Sequence, residues 1–195
     1  MAKLTYSMLT SLDGYVADQD GNFEWAAPNE EVHAFIDDLE RSTGTFLLGR
    51  RMYETLAVWD TMPEDGPSPA VNDYGRIWRA AKKIVYSTSL SEPTTKSTEI
   101  EHEFNVEAIS RLKLRSDRNL VIGGPHLAAE AIKAGLVDEF HQFIAPIIVG
   151  NGNHWLPKDI HMELELVDVR KFESGVQVHG QGVSGFVYLH YKLLK

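Results

Sequence analysis

Apolar residues in the first two thirds of the chain follow two alternating patterns. Apolar runs predict strands at Leu4 to Leu9, Thr45 to Leu48, Lys82 to Ser89 and Leu120 to Ile122. Between them lie positions at helical spacing. Val32, Phe35, Ile36 and Leu39 predict an amphipathic helix over residues 29–42, with Asn29 as its N-cap and Gly44 just past its end. Leu127, Ala128, Ala131 and Ile132 repeat the pattern, and Gly135 sits where a left-handed cap would close that helix. After residue 136 the helices stop. Met162, Leu164 and Leu166 alternate with Glu163 and Glu165, Phe186 to Leu193 is apolar on both faces, and Gly175, Gly180, Gly182 and Gly185 mark turns between antiparallel strands. Pro63, Pro67 and Pro69 make residues 61–70 a loop within one domain that spans residues 1–195. This order predicts an α/β protein whose mostly parallel sheet finishes in antiparallel strands.

Two strand ends carry the chemistry. Leu120, Val121 and Ile122 are too uniformly apolar for a half-exposed strand, so both faces of this one are covered. Gly123 and Gly124 then remove the side chains that would keep a ligand off the backbone, and Pro125 suits a first helical turn because the amide it lacks would have no partner there. The pair reads as a phosphate approach or as a tight strand-to-helix turn. The second end is Gly49, followed at once by Arg50 and Arg51, an arginine fork on a chain of net charge −9. It reads as a phosphate clamp or as a solvated surface pair. Ser87 and Thr88 end a third strand with hydroxyls that can meet a phosphate or close a turn. Read as ligand-binding groups, the three predict an anionic nucleotide at the carboxyl ends of parallel strands.

The ordered segments Gly49-Arg50-Arg51-Met52-Tyr53-Glu54, Val85-Tyr86-Ser87-Thr88 and Val121-Ile122-Gly123-Gly124 resemble the cofactor half of the dihydrofolate reductase fold. Ser11-Leu12-Asp13-Gly14-Tyr15-Val16-Ala17, Gly135-Leu136-Val137-Asp138-Glu139-Phe140 and Ala145-Pro146-Ile147-Ile148-Val149-Gly150-Asn151-Gly152 more closely resemble a sister family, the reductase domain of riboflavin biosynthesis and its stand-alone relatives. The resemblance implies a dihydrofolate reductase-like three-layer fold with helices on both faces of the sheet. It also implies NADPH as cofactor and a pyrimidine- or pterin-like heterocycle as substrate. The adenosine 2′-phosphate is expected near Arg50, Arg51, Ser87 and Thr88, beside Gly49 and Met52. The pyrophosphate is expected near Gly123, Gly124, Pro125, His126 and Leu127. A homodimer is the expected assembly. Dihydrofolate reductase itself is the second reading, and an NADPH-binding sensor or assembly partner without turnover is a third.

Reduction of a C=N or C=O bond needs a proton source beside the hydride donor. Trp25-Ala26-Ala27-Pro28-Asn29-Glu30-Glu31 resembles the substrate-binding Trp-x-x-Pro-x-acid stretch of dihydrofolate reductases, which makes Glu30 and Glu31 candidates. Acidic residues in a first helical turn also favour the helix dipole without any catalytic role. Asp13 is the third candidate, in a stretch that borders nicotinamide and substrate in the riboflavin reductases; Asp13-Gly14 is equally a turn signal. Eight histidines show no ligand spacing, so no catalytic metal is expected. Phe23, Trp25, Trp59 and Trp155 are read first as core and second as walls of a ring-binding cleft.

Composition narrows the rest. Without cysteine there is no disulfide or thiol catalysis. The acidic balance, with a pI near 5.3, argues against nucleic acid as a general partner. Neither a charged leader nor an apolar stretch of membrane-spanning length is evident, so a cytoplasmic protein without membrane association is expected.

Overall fold

The computed structural model describes residues 1–173, 177–178, 181–182 and 185–194. In chain order the elements are β1 (Leu4–Thr10), β2 (Tyr15–Asp18), α1 (Glu30–Glu40), β3 (Thr43–Gly49), α2 (Arg50–Leu56), α3 (Pro69–Ala80), β4 (Lys82–Tyr86), β5 (Thr98–Glu101), α4 (Val106–Arg115), β6 (Asn119–Gly123), α5 (Pro125–Lys133), β7 (Glu139–Ile144), β8 (Gly152–His154), β9 (Leu164–Lys171), β10 (Gln177–Val178), β11 (Gln181–Gly182) and β12 (Val187–Leu193). Eight strands form one sheet in the order β5-β4-β3-β6-β1-β7-β12-β9. The six from β5 to β7 are parallel, and β12 runs antiparallel to both β7 and β9. This is the dihydrofolate reductase-like α/β architecture, with a parallel body and an antiparallel end.

β6 has the two-sided burial its sequence predicts. Leu120 and Ile122 pack with Leu127, Ala128, Ala131 and Ile132 of α5 and Ile109 of α4. Val121 packs on the other face with Trp78 and Ile77 of α3 and Tyr53 of α2. Burying each of these three side chains is worth roughly 1.5–3 kcal/mol. On β7 the same division separates Phe140, which joins the α5 side, from Phe143, which joins Val32 and Phe35 of α1. Helices therefore cover both faces. No helix among the described residues is long and apolar enough to cross a membrane.

The helix predicted over residues 29–42 is α1, and the Asn29 side chain accepts from the Val32 amide at 2.9 Å. Gly135 adopts φ +66° and closes α5 with Gly135 N–H to Ile132 O at 2.9 Å and Leu136 N–H to Ala131 O at 2.9 Å. Two expectations need correction. Gly44 lies inside β3 and does not cap α1; a β-carbon there would meet Cβ of Arg118 at 2.7 Å, so glycine is kept by a close approach. Pro69 opens α3 at its first helical position, with Ser68 as N-cap, and so does not belong to the preceding loop. The alternation at Leu164 to Leu166 falls in β9, the edge strand of the sheet, where Leu164 packs against the core and Leu166 is 52% exposed. Of the four predicted turn glycines, Gly185 takes φ +97° and Gly182 ends β11, while Gly175 and Gly180 lie outside the described residues.

Candidate active site

After β1 the chain passes to α1 on one face, and after β6 it passes to α5 on the other. β1 and β6 are adjacent in the sheet. Where neighbouring strands send their connections to opposite faces, a crevice opens at their carboxyl ends, and open α/β sheets bind ligands there. Two adjoining cavities occupy this place. One, of about 480 Å³, lies between Leu12, Asp13, Gly14 and the segment His154 to Lys158. The other, of about 300 Å³, reaches from Tyr15 and His154 to Pro125 and His126 at the start of α5. Volumes of this size suit a small-molecule ligand.

The strand ends expected to hold an anion are neighbours. Leu48 pairs with Gly123 and Gly49 with Tyr86, so the turns after β3, β4 and β6 stand side by side. Gly124 has φ +94°, a conformation that side-chain-bearing residues rarely adopt. The helical ladder of α5 begins with Ala128 N–H to Gly124 O at 3.0 Å, which leaves the His126 and Leu127 amides ahead of it at the helix's positive end. His126 is exposed, whereas the Leu127 side chain is core and only its main chain faces the turn. Met52 packs beneath both glycines: β-carbons on Gly123 and Gly124 would meet it at 3.1 Å and 3.5 Å. Arg50 and Arg51 are exposed on α2, and Arg50 Nη1 reaches Glu54 Oε1 at 3.3 Å. Ser87 favours the turn reading, because its Oγ accepts from Ser89 N–H at 3.2 Å and Leu90 N–H at 2.9 Å; Thr88 is exposed. The second lysine of β4 is structural: buried Lys83 donates to Trp78 O at 3.1 Å and Ala81 O at 3.0 Å, neutralising the carboxyl end of α3.

Asp13 borders the larger cavity with both carboxylate oxygens engaged. Oδ1 accepts from Val149 N–H at 3.2 Å and Oδ2 from Gly150 N–H at 2.8 Å, which ties the turn after β1 to the loop after β7. Desolvation opposes its charge, but hydrogen bonds from Ser11, Gly150 and Val149 prevail and hold the carboxyl below its usual range. Asp13 is thus an ionised clamp. Glu30 is held below its usual range by the Ser68 hydroxyl and the Ala70 amide, the latter at 3.1 Å, so it braces the start of α3 against α1. Glu31 pairs with Arg170 at 3.3 Å. The structure thus brings Asp13 to the larger cavity, and neither cavity is lined by Glu30 or Glu31.

Sequence reasoning missed the opposite wall. His154 and Lys158 line both cavities, and Gln142 lines the larger, donating from Nε2 to Thr10 Oγ1 at 3.0 Å. The signal was faint: β8 pairs with β2, placing His154 against Tyr15 with ring centroids 4.2 Å apart, a contact between distant segments. Trp155 lines the larger cavity while packing against the core, stacked on Tyr6 at 5.9 Å and bonded through its amide to Gly14 O at 3.1 Å. Trp25 is core, Trp59 packs against the α3 side of the core, and Phe23 is exposed.

The sequence profile of the RibD C-terminal domain matches residues 2–178. The uncharacterized protein YyaP of Bacillus subtilis is 24% identical over 176 residues, covering 89% of this chain and 91% of its own. A crystal structure of a protein named for riboflavin biosynthesis, from a Shewanella species, superposes with a TM-score of 0.70 at 20% identity, covering 100% of both chains. Enterococcus faecalis dihydrofolate reductase, solved with NADP(H), superposes with a TM-score of 0.62 at 18% identity, covering 99% of this chain and 97% of its own.

Proposed function

Because the chain belongs to the RibD C-terminal domain family, we propose that it is an NADPH-dependent reductase of a pyrimidine- or pterin-like heterocycle. The reaction nearest to this reading is reduction of a phosphoribosylaminopyrimidine of the riboflavin pathway. The observation that carries it is the pair of adjoining cavities at the carboxyl ends of β1 and β6, beside two glycine turns whose amides suit a pyrophosphate.

The residues fit the cofactor at both ends. Gly124, with φ +94°, and the His126 and Leu127 amides would hold the pyrophosphate, while Arg50 and Arg51 would hold a 2′-phosphate together with Thr88. When bound, the reduced nicotinamide supplies a hydride. Asp13 keeps the loop after β7 against the turn after β1 and so shapes the substrate wall; it is a positioning residue. Glu30 acts similarly on α3. Trp155 lines the larger cavity and, backed by buried Tyr6, offers a flat aromatic surface at the heterocycle's end. His154 and Lys158 are the proton-bearing side chains common to both cavities, and they are the candidate donors to the reduced substrate. A homodimer would cover the exposed Leu166, Val167 and Val169 of β9, and light scattering on the purified chain reads that assembly directly.

NADPH oxidation, followed by absorbance with the deaminated phosphoribosylaminopyrimidine, with dihydrofolate and with neither, tests the reading. Turnover of the first supports it. Turnover of dihydrofolate alone gives the chain a dihydrofolate reductase activity instead, and NADPH binding without either oxidation leaves a cofactor-binding protein.

A further inference from the structure

A second group of side chains, away from the crevice, converges on a common point. β7 and β12 pair antiparallel, with His141 opposite His190 and Glu139 one step along the same face. The two imidazole rings lie 4.3 Å apart at 43°. Nε2 of His190 is 3.7 Å from Glu139 Oε1, and Nε2 of His141 is 3.9 Å from Oε2. Neither separation is a hydrogen bond. Both Nε2 atoms are buried with no hydrogen-bond partner among the described residues. Unpartnered ring nitrogens are costly in a protein interior, and here two of them approach one carboxylate.

We infer that Glu139, His141 and His190 form a binding site for one divalent transition-metal ion of the zinc class. One ligand atom from each lies within 4.8 Å of the other two, so a cation among them would stand at most about 2.8 Å from each, and the side chains would draw inward to reach the ~2.0–2.2 Å of zinc. Two imidazoles and a carboxylate favour such an ion over calcium or magnesium and leave a fourth position for water. The supporting contacts suit the role. Tyr188 Oη lies 3.1 Å from His141 Nδ1; by accepting the Nδ1 proton it leaves the Nε2 lone pair for the metal. Asp168 stands opposite His190 on β9 and adds negative charge to the same strip. The opposing group is Lys3, whose ammonium donates to Glu139 Oε1 at 2.6 Å; its side chain is 57% exposed and free to turn outward. Gln142, which lines the crevice, projects from the opposite face to His141, so the ion would clasp β7 to β12 without touching the proposed reductase site. The assignment is independent of that reaction.

The test uses the untagged chain stripped with chelator and titrated with Zn²⁺ by calorimetry and with Co²⁺ by visible absorption. One ion per chain, a Co²⁺ d–d spectrum of nitrogen and oxygen ligation and a raised Tm are expected. His141→Gln with His190→Ala should weaken Zn²⁺ binding by at least ~100-fold. Lys3→Met, a change at an exposed position, should tighten it by roughly threefold or more, which keeps the test open if the histidine variant does not fold. Absence of saturation at millimolar Zn²⁺, or unchanged affinity in the folded double variant, overturns the assignment.

Discussion

A β-carbon on Gly124 would lie 3.7 Å from the amide nitrogen of Gly49, so the turn that opens α5 rests against the turn that opens α2. Behind this contact are a positive φ at Gly124 and the pairing of β3 with β6. Gly124→Ala forces a side chain into that conformation at a cost of about 1–3 kcal/mol. Urea denaturation should show this loss, and NADPH titration should show affinity reduced at least ~10-fold, since 1.4 kcal/mol is a factor of ten. Wild-type affinity in the variant would remove the Gly124 turn from the cofactor site.

The exposed arginines predict cofactor choice. The Arg50–Glu54 contact, at 3.3 Å between half-exposed side chains, is an intrahelical pair of small worth that a dianionic phosphate would displace. Charge-assisted hydrogen bonds contribute ~1.5–3 kcal/mol. Arg50→Gln with Arg51→Gln should therefore weaken NADPH binding ~10–100-fold and leave NADH binding unchanged. Fluorescence titration with both cofactors measures the ratio.

Asp13 predicts a split between binding and chemistry. Asparagine at this position would turn an NH₂ toward an amide donor and loosen the loop held through Gly150. Asp13→Asn should lower Tm by a few degrees and raise KM for the heterocycle more than it lowers kcat. Loss of kcat at unchanged KM and Tm would instead give Asp13 a part in the chemical step.

Glu40 predicts a stability that falls as pH rises. Burial between α1 and α3 pushes its carboxyl up to about 7 from an ordinary 4.5, against a Tyr74 hydrogen bond and with Asp37 adding to the rise. The folded chain therefore binds the proton more tightly than the unfolded one. The contribution is complete below about 4.5 and is lost as pH rises from there through about 7, on the order of 3 kcal/mol. Glu40→Gln should flatten this part of the profile and stabilise the chain at neutral pH, as read by denaturation between those two values.

The strand-to-helix turns and caps were legible in the sequence because they depend on properties of single residues or near neighbours. Gly124 and Gly135 tolerate positive φ, Pro125 lacks an amide, and the Asn29 side chain reaches the Val32 amide three residues on. The two-sided apolar run of β6 likewise announced a covered parallel strand. Asp13 was legible as a loop residue beside the site, but its clamp on Val149 and Gly150 was not, since those amides come from a loop far along the chain.

What required the folded molecule is everything that depends on which strands become neighbours. Side chains two apart on a strand share a face by backbone geometry, yet nothing local brings β12 beside β7. That pairing is a property of the whole sheet's packing, and it creates the Glu139, His141 and His190 group from residues without a ligand motif. The same is true of the crevice, which exists because α1 and α5 leave adjacent strands for opposite faces and because β8 carries His154 back to β2. Short-range rules thus wrote the turns that suit an anion, and long-range register built the walls around them.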